Sequence, residues 1–262
     1  MKRNTLSFRI ISRLLPAVIL LGIVIFTAYY LFARRSITDH TAENAQITAK
    51  NTVHSIEQII KQAQMIPANL SWMIENESLE HDSLFKFLEQ LVKNNPLIYA
   101  SAIAFQPGMS NESTVPKPYN GLYSPYAFRN GDGVETKNLG SESYNYLIMD
   151  WYQIPAMLRE PYWTEPYFDE GGADALLSTY SHPFYLTKNG KREFAGIITI
   201  DISLEWLTKT VSSVKILETG YAFLISGNGV YVTHPNQENI MNHTIFTRAK
   251  ELDLPVLRKI GR

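Results

Sequence analysis

An uncharged apolar run near the N-terminus limits what this chain can fold into. The run extends from Leu14 to Ala33 with the sequence LLPAVILLGIVIFTAYYLFA. Its length of about twenty residues is what a helix needs to span a bilayer. Tyr29 and Tyr30 lie near its end, where an interfacial aromatic belt is expected. Because the run is long and no small-residue cleavage site follows it, we expect a retained transmembrane helix at 14–33 rather than a cleaved signal peptide.

Basic residues flank this run unequally. Arg34 and Arg35 follow it closely, whereas the residues that precede it include Lys2, Arg3, Arg9 and Arg13. The side with the basic excess stays in the cytoplasm. We therefore predict a cytoplasmic N-terminus at residues 1–13 and an extracytoplasmic location for everything after residue 35. This predicts a location in the inner (cell) membrane, with a single N-terminal span and the region after residue 35 outside.

The segment after the span has the pattern of a long helix. Apolar residues recur at helical spacing through residues 34–66, and no Gly or Pro interrupts them before Pro67. One face is apolar and the others carry Thr, Asn, Gln, Lys and Glu. We predict a stalk helix at 34–66. Two interpretations stay open: the apolar face packs wholly on its own domain, or it also pairs with a second copy to form a homodimer.

The remaining sequence mixes helical and strand patterns and predicts an α+β fold. Strand runs alternate with amphipathic segments, and Asn-Gly or Gly-rich turns separate the strands. The predicted elements are a helix at 82–94, a strand at 97–105, a hairpin within 106–140, a helix or helix-loop at 144–158, strands at 176–185 and 193–202, a helix at 204–214, two strands within 220–234 and a helix at 245–252.

Large rings with polar tips crowd the segment from Asp150 to Asp201. Such rings, interleaved with carboxylates in turn-rich sequence, are the usual lining of a pocket for a small polar or cationic ligand. The alternative is an irregular aromatic core. Asp201 interrupts an apolar strand near its end, and a carboxylate there must be hydrogen-bonded or face a polar cavity. The candidate ligand-binding residues are Tyr144, Trp151, Tyr152, Trp163, Tyr167, Asp169, Tyr180 and Asp201.

Composition and missing motifs exclude several kinds of chemistry. The formal net charge is −1, so no global basic field points to nucleic acid. Cysteine is absent, and the six histidines are dispersed without metal-ligand spacing. No GxSxG elbow, Walker loop or kinase motif occurs. We therefore expect no catalytic residues, no metal and no cofactor in this region.

Several segments together resemble the double Cache sensor domain of bacterial membrane signal-transduction proteins. The segments are DWY, WTEPYFD, STYSHPFY, GIITIDISLEWL and GYAFLISGNGVYVTHP. The resemblance implies two stacked PAS-like antiparallel sheet modules on a long N-terminal helix, with a small-molecule ligand bound in the membrane-distal module. Residues 67–215 would form that module, and residues 216–262 an incomplete membrane-proximal one. Related receptors include chemoreceptors, histidine kinases and PPM-type phosphatases with a HAMP module, so an enzymatic output domain (a phosphatase, a histidine kinase or a cyclase) beyond residue 262 stays open.

The amino-acid-binding subset of this family has the pattern Y-x4-R-x-W-Y, with an Asp on a later strand that holds the ligand amine. Met149 stands where that pattern has an arginine, whereas the matching positions are Tyr144, Trp151, Tyr152 and Asp201. The arginine would hold the ligand carboxylate through a bidentate pair. The departure therefore favours an amine over an α-amino acid.

Two arginines elsewhere, Arg129 and Arg159, could replace that anion anchor. The predicted function is the extracytoplasmic sensor region of a membrane-bound signalling receptor that binds a small polar ligand and transmits a signal across the membrane. The alternative is an envelope interaction or scaffold domain that binds no small molecule.

Overall fold

The computed structural model describes residues 6–76, 81–110, 119–214 and 220–260. Lys2 and Arg3, on which the predicted orientation partly rests, lie outside the described residues. The chain divides into two compact units, Met1–Asn51 and Thr52–Arg262.

The first unit is helical throughout its described residues and forms the beginning of helix α1, Leu6–Asn76. Its apolar side chains from Leu14 to Phe32 are exposed. Within the described part of the chain, α1 is the one helix that is long and apolar enough to cross a membrane by length and composition. A bilayer would cover this apolar surface, since a helix satisfies its own backbone hydrogen bonds in lipid.

Helix α1 extends beyond the predicted end of the stalk at residue 66. It passes through Pro67 and ends at Asn76. Proline removes a backbone donor and disfavours a helix interior. The last turns nevertheless bury Leu70 and Ile74 in the core of the second unit. Tertiary packing of an apolar face supplies most helical stability in proteins, which explains why the helix continues.

The second unit contains two antiparallel sheets and five further helices among its described residues. The helices are α2 His81–Asn94, α3 Asp150–Leu158, α4 Leu204–Ser212, α5 Ile245–Glu251 and α6 Pro255–Ile260. The strands are β1 Ala100–Phe105, β2 Pro125–Asn130, β3 Gly133–Asn138, β4 Tyr162–Trp163, β5 Tyr167–Phe168, β6 Leu176–Lys188, β7 Lys191–Ser203, β8 Leu224–Ile225 and β9 Tyr231–Thr233. Strands β4 and β5 and helix α6 were not expected from the sequence.

The larger sheet has the strand order β3-β2-β1-β7-β6-β4, and β5 also pairs with β6. Strands β6 and β7 form its longest hairpin, around Asn189 and Gly190, both at positive φ (52° and 75°). An Asn-Gly pair suits such a tight turn, so the predicted hairpin is confirmed. Its register places Thr179 of β6 opposite Asp201 of β7.

Both faces of this sheet are covered. The end of α1 and helix α2 cover one face, with Leu70, Ile74, Leu84, Leu88 and Val92 packed on Ile103, Ile198 and Ile200. The segment that leads into α3 covers the other face, where the buried side chains include Tyr126, Tyr144, Tyr146, Trp151, Tyr152 and Ile197. The central strand β1 is buried along its whole length. This second, aromatic layer contains the candidate site.

Arg129 of β2 stabilises the C-terminal end of α2. Its Nη2 donates to the carbonyls of Val92 and Asn95 at 2.6 and 3.1 Å, and its Nε donates to that of Ile98 at 3.0 Å. Carbonyls at a helix C-terminus lack intrahelical partners and carry partial negative charge. Arg129 is therefore occupied here and does not replace the missing carboxylate anchor.

Arg129→Met is expected to lower the free energy of unfolding by about 2–3 kcal/mol, because it leaves several carbonyls without their charged donor. Urea unfolding of the chain in detergent, followed by tryptophan fluorescence, would measure the loss. Lys191→Met provides the matched control, since Lys191 is exposed beside the hairpin turn. Equal stability of the two variants would contradict the capping role.

Candidate ligand-binding site

Two buried carboxylates, Asp169 and Asp201, lie together on the aromatic side of the sheet. Their relative exposures are 4% and 3%. The hydroxyl of Tyr126 lies between them, 3.2 Å from Asp169 Oδ2 and 3.5 Å from Asp201 Oδ2. The neighbouring hydroxyls of Tyr167 and Thr179 contact each other at 2.8 Å. Four strands of one sheet (β2, β5, β6 and β7) and the turn after β5 thus bring two acids and several hydroxyls to one place.

The carboxylate of Asp169 accepts three hydrogen bonds from neighbouring residues. Its Oδ1 accepts from the Tyr144 hydroxyl at 2.6 Å, and its Oδ2 accepts from the Ala173 amide at 2.8 Å as well as from Tyr126. The indole Nε1 of Trp151 in turn donates to the Tyr144 hydroxyl at 3.4 Å. This carboxylate is therefore fixed by neutral donors, as a buried acid requires.

Asp201 is different, because one of its two carboxylate oxygens lacks a donor within the described part of the chain. Among the residues that the structure describes, none donates a hydrogen bond to its buried Oδ1. Burial, and then the nearby charge of Asp169, raise the pKa of Asp201 well above its usual value. Both causes disfavour the charged form of the acid. The site can thus accept a proton or a cation at Asp201.

The hydroxyls around the acids stay neutral. Burial, followed by the charges of Asp201 and Asp169, raises the pKa of Tyr126 well above its usual value. The pKa of Tyr144 is raised mainly by burial, with Asp169 as the next cause. Both rings are therefore hydrogen-bond donors across the physiological pH range, and the acids are the groups that respond to a ligand.

Gly172 makes room for the Asp169 carboxylate. A Cβ at this position would lie 2.0 Å from Asp169 Oδ2 and 2.4 Å from its Cγ. The turn residues 169–174 wrap around that side chain, and Asp169 also accepts the amides of Gly172 and Asp174 through its own carbonyl. The sequence DEGG thus encodes a turn that delivers a carboxylate to the site.

Gly172→Ala is expected to displace Asp169 and to destabilise the chain by about 1–3 kcal/mol, the usual cost of overpacking. Gly227→Ala is a suitable control, because no atom lies within 4 Å of a Cβ there. Gly131→Ala would be a poor control, because Gly131 has a positive φ of 55°. Thermal unfolding by circular dichroism would compare them. Unchanged stability of Gly172→Ala would show that the turn adapts freely.

The predicted site residues divide into two groups in the structure. Those that the structure brings together are Tyr144, Trp151, Tyr167, Asp169 and Asp201. Trp163 and Tyr180 pair with each other instead, with ring centroids 5.2 Å apart, and Trp163 packs against the core beneath α1 and α2. Tyr152 contacts Trp151 edge-on, but its hydroxyl donates to Gln106 Oε1 at 2.9 Å, on a different side of α3.

Two site residues, Tyr126 and Thr179, were not predicted. Tyr126 lies in the Pro- and Gly-rich stretch that was expected to contain loops and a hairpin. The alternation in PYAFRN could have indicated it, since Tyr126 and Phe128 stack on one face at 5.5 Å. Met149, at the start of α3, packs against the same aromatic cluster.

Comparison with known proteins matches this part of the chain to a sensor family. Residues 84–209 match the family described as "Methyl-accepting chemotaxis protein-like, first PDC sensor domain". The methyl-accepting chemotaxis protein PctB of Pseudomonas aeruginosa is 30% identical over 113 residues, which cover 42% of this chain and 17% of PctB. The chain therefore spans less than a fifth of the length of that relative.

Solved structures show the same fold. The extracellular domain of a protein named as a histidine kinase, mmHK1S-Z3, aligns with a TM-score of 0.67 and 26% identity, over 82% of this chain and 80% of that one. The ligand-binding domain of PctB, solved in complex with L-Gln, aligns with a TM-score of 0.54 and 18% identity, over 81% of this chain and 72% of its own.

These matches confirm the α+β sensor fold and the resemblance that the sequence indicated. The matched residues include the whole of the larger sheet, helix α3 and both site carboxylates. They support a sensor role for this region. Residues 84–209 thus match the first PDC sensor domain of methyl-accepting chemotaxis proteins in sequence, and the chain shares its fold with the extracellular domain of a protein named as a histidine kinase.

Proposed function

We propose that this chain is the extracytoplasmic sensor region of a membrane-bound signalling receptor, and that Asp201 binds the ammonium group of a small amine. One observation carries the proposal. Asp201 is a buried carboxylate beside a second carboxylate, and its Oδ1 lacks a donor among the described residues. A buried charge is costly unless it is paired, so the site is complete only when a cation or a proton is added.

An ammonium group fits the surroundings of Asp201. It has three donors and no acceptor, which suits two carboxylates and the oxygens of the Tyr167 and Thr179 hydroxyls. The rings of Tyr144 and Trp151 lie near the acids, since the Tyr144 hydroxyl contacts Asp169 and Trp151 contacts that hydroxyl, and aromatic rings attract cations. The charge of a bound ammonium would also relieve the repulsion between Asp169 and Asp201.

The site around Asp201 suits an α-amino acid less well than a simple amine. Met149 offers no positive charge, and Arg129 is occupied by the carbonyls at the end of α2. A ligand carboxylate near the two acids would therefore be desolvated without a partner. The amino-acid complex of PctB supports a small-molecule ligand for this fold, and the substitution at Met149 supports a different class of ligand here.

The β6–β7 hairpin offers a route from the ligand to α1. Asp201 lies towards one end of β7, and near the other end Arg192 forms an ion pair with Glu75 of α1 at 3.1 Å. The amide of Tyr185 also donates to Glu75 Oε1 at 3.1 Å. A ligand that binds two states of the hairpin unequally would shift α1 by its differential affinity and no more. Pairing of α1 with a second copy remains a prediction.

Thermal unfolding with a panel of small molecules tests the proposal. Methylamine, ethanolamine and putrescine would each be compared with a carboxylate of similar size and with glycine. At a concentration of about 100 times Kd, a binding amine should stabilise the chain by about 2.7 kcal/mol, or roughly 5–10 °C in Tm.

Asp201→Asn should abolish the amine-dependent shift, while Asp132→Asn, at an exposed turn, should preserve it. A full shift retained by Asp201→Asn would overturn the assignment of the amine to Asp201. No shift with any compound in the parent chain would instead favour the scaffold alternative.

A further inference from the structure

A cavity lies beside α3, and neither Asp169 nor Asp201 lines it. Its volume is about 460 Å³. The apolar part of its wall includes Phe194, Ala156 and Met157, and the polar part is formed by Gln106, Gln153, Arg159 and Glu193. A cavity of this size with an apolar wall and a few convergent polar groups has the usual character of a small-molecule site.

Arg159 is presented to this cavity in a defined position. It ends α3 in the left-handed conformation (φ 60°, ψ 24°), and its amide donates to the carbonyl of Pro155 at 2.9 Å. Glycine is the usual residue at such a position, since a side chain there costs about 1 kcal/mol. The guanidinium Cζ lies 4.0 Å from the centroid of the Phe194 ring. Within the described part of the chain, the guanidinium makes no hydrogen bond and no ion pair, so its donors are available.

Glu193 supplies the opposite charge. It precedes Phe194 on β7, lines the same cavity and is exposed. As far as the described residues show, its carboxylate makes no ion pair, with Arg159 or with any other cation. The Gln106 amide accepts from Tyr152 through its oxygen, which leaves its nitrogen as a donor. The cavity thus combines a separated cation and anion with neutral amides and an apolar wall.

We propose that this cavity is a second binding site, for a small zwitterion with an apolar body. The ligand carboxylate pairs with Arg159, its ammonium group pairs with Glu193, and its body packs against Phe194, Ala156 and Met157. A ligand with a single charge satisfies one of the two groups and faces repulsion from the other. Because both charges are exposed, the affinity is modest and depends on salt.

Helix α3 connects the cavity with the buried carboxylates. Tyr152 borders the cavity, and its neighbour Trp151 donates to Tyr144, which holds Asp169. Helix α3 therefore contributes a residue to the cavity and another to the contacts around Asp169. The second site does not depend on the proposed amine site, and each can be tested without the other.

Three fluorinated probes with the same body test the proposal by ¹⁹F NMR. They are 4-fluoro-L-phenylalanine (zwitterion), 3-(4-fluorophenyl)propanoate (anion) and 2-(4-fluorophenyl)ethylamine (cation). The protein is the full chain in lipid nanodiscs, carrying Asp201→Asn so that amine binding at the buried carboxylates does not contribute. We expect the zwitterion to bind most tightly. Arg159→Gln should weaken binding of the zwitterion and of the anion by about fivefold. Glu193→Gln should weaken binding of the zwitterion and of the cation by a similar factor.

Lys191→Gln serves as the control, because it removes an exposed positive charge from the same hairpin outside the cavity. It should leave all three affinities unchanged. Glu193→Gln should also strengthen binding of the anion, which provides a second readout if Arg159→Gln does not fold. The proposal is overturned if the zwitterion binds no better than the singly charged probes, if neither cavity variant changes any affinity, or if no probe binds at about 10 mM.

Discussion

The ligand-free chain is expected to lose stability as the pH rises above about 4, and Asp201→Asn is expected to remove much of that loss. The folded state raises the pKa of the Asp201 carboxyl, first through burial and then through Asp169. A folded state with a raised pKa holds a proton that the unfolded chain releases. The stabilisation is therefore complete below the unfolded pKa of about 3.9 and is lost as the pH rises through the folded pKa.

The size of this effect has a limit. If Asp201 stays protonated in the folded chain at pH 7, the release of that proton favours unfolding by about 4 kcal/mol relative to low pH, since each pKa unit corresponds to about 1.4 kcal/mol. The quantity to measure is the difference in free energy of unfolding between the parent chain and Asp201→Asn, from pH 4 to pH 8. The variant should gain relative stability across this range.

Asp132→Asn separates this effect from a general change in net charge. Asp132 is exposed in the β2–β3 turn, so its replacement should leave the pH profile parallel to that of the parent. A parallel profile for Asp201→Asn as well would mean that Asp201 ionises freely in the folded chain, contrary to its burial beside Asp169.

Met149→Arg is expected to give the chain affinity for α-amino acids. Met149 precedes α3, has no side-chain capping hydrogen bond and packs against the aromatic cluster that contains Tyr144 and Trp151. An arginine at this position would restore the pattern Y-x4-R-x-W-Y of the amino-acid-binding subset that the sequence resembles. It would pair bidentately with a ligand carboxylate. A charge-assisted pair is worth about 1.5–3 kcal/mol, which corresponds to a gain of roughly 10- to 150-fold for glycine or alanine.

Calorimetric titration of glycine and of ethanolamine would measure this change in preference. Leu158→Arg is the matched control, because it adds the same charge at an exposed position of α3. The control should not gain glycine affinity. A Met149→Arg chain that binds glycine no better than the parent would show that the absent arginine does not set the ligand class.

The sequence predicted the local features of the fold well, because local chemistry determines them. Asn189-Gly190 specifies a tight hairpin turn, and Asp201 was identified as a polar residue at the end of an apolar strand. Helix α2 was bounded by its apolar stripe and by Asn95-Pro96. Each of these signals lies within a few residues of the feature that it predicts.

The remaining features depend on pairing between distant segments. Tyr126 reaches Asp201 because β1 lies between β2 and β7, and no pattern within 106–140 specifies that order. Trp163 and Tyr180 lie opposite each other in the short pairing of β4 with β6. The register of this pairing decides which face of the sheet the two rings occupy, and a shift of one residue would move them to the other face. The extension of α1 through Pro67 depends on core contacts rather than on propensity.

The proton balance of amine binding tests the central claim most directly. If the ammonium group displaces the proton held by Asp201, binding should release close to one proton at a pH where the folded chain still holds that proton, because the pKa of this carboxyl is raised well above its ordinary value. The comparison of the parent chain with Asp201→Asn across pH identifies that range. Calorimetry in two buffers of different ionisation enthalpy, with the amine that stabilises the chain most, would count the protons. We predict a release that approaches one proton in the parent chain and none in Asp201→Asn. Binding without proton release, or with the same release in Asp201→Asn, would contradict recognition of the amine by this carboxylate.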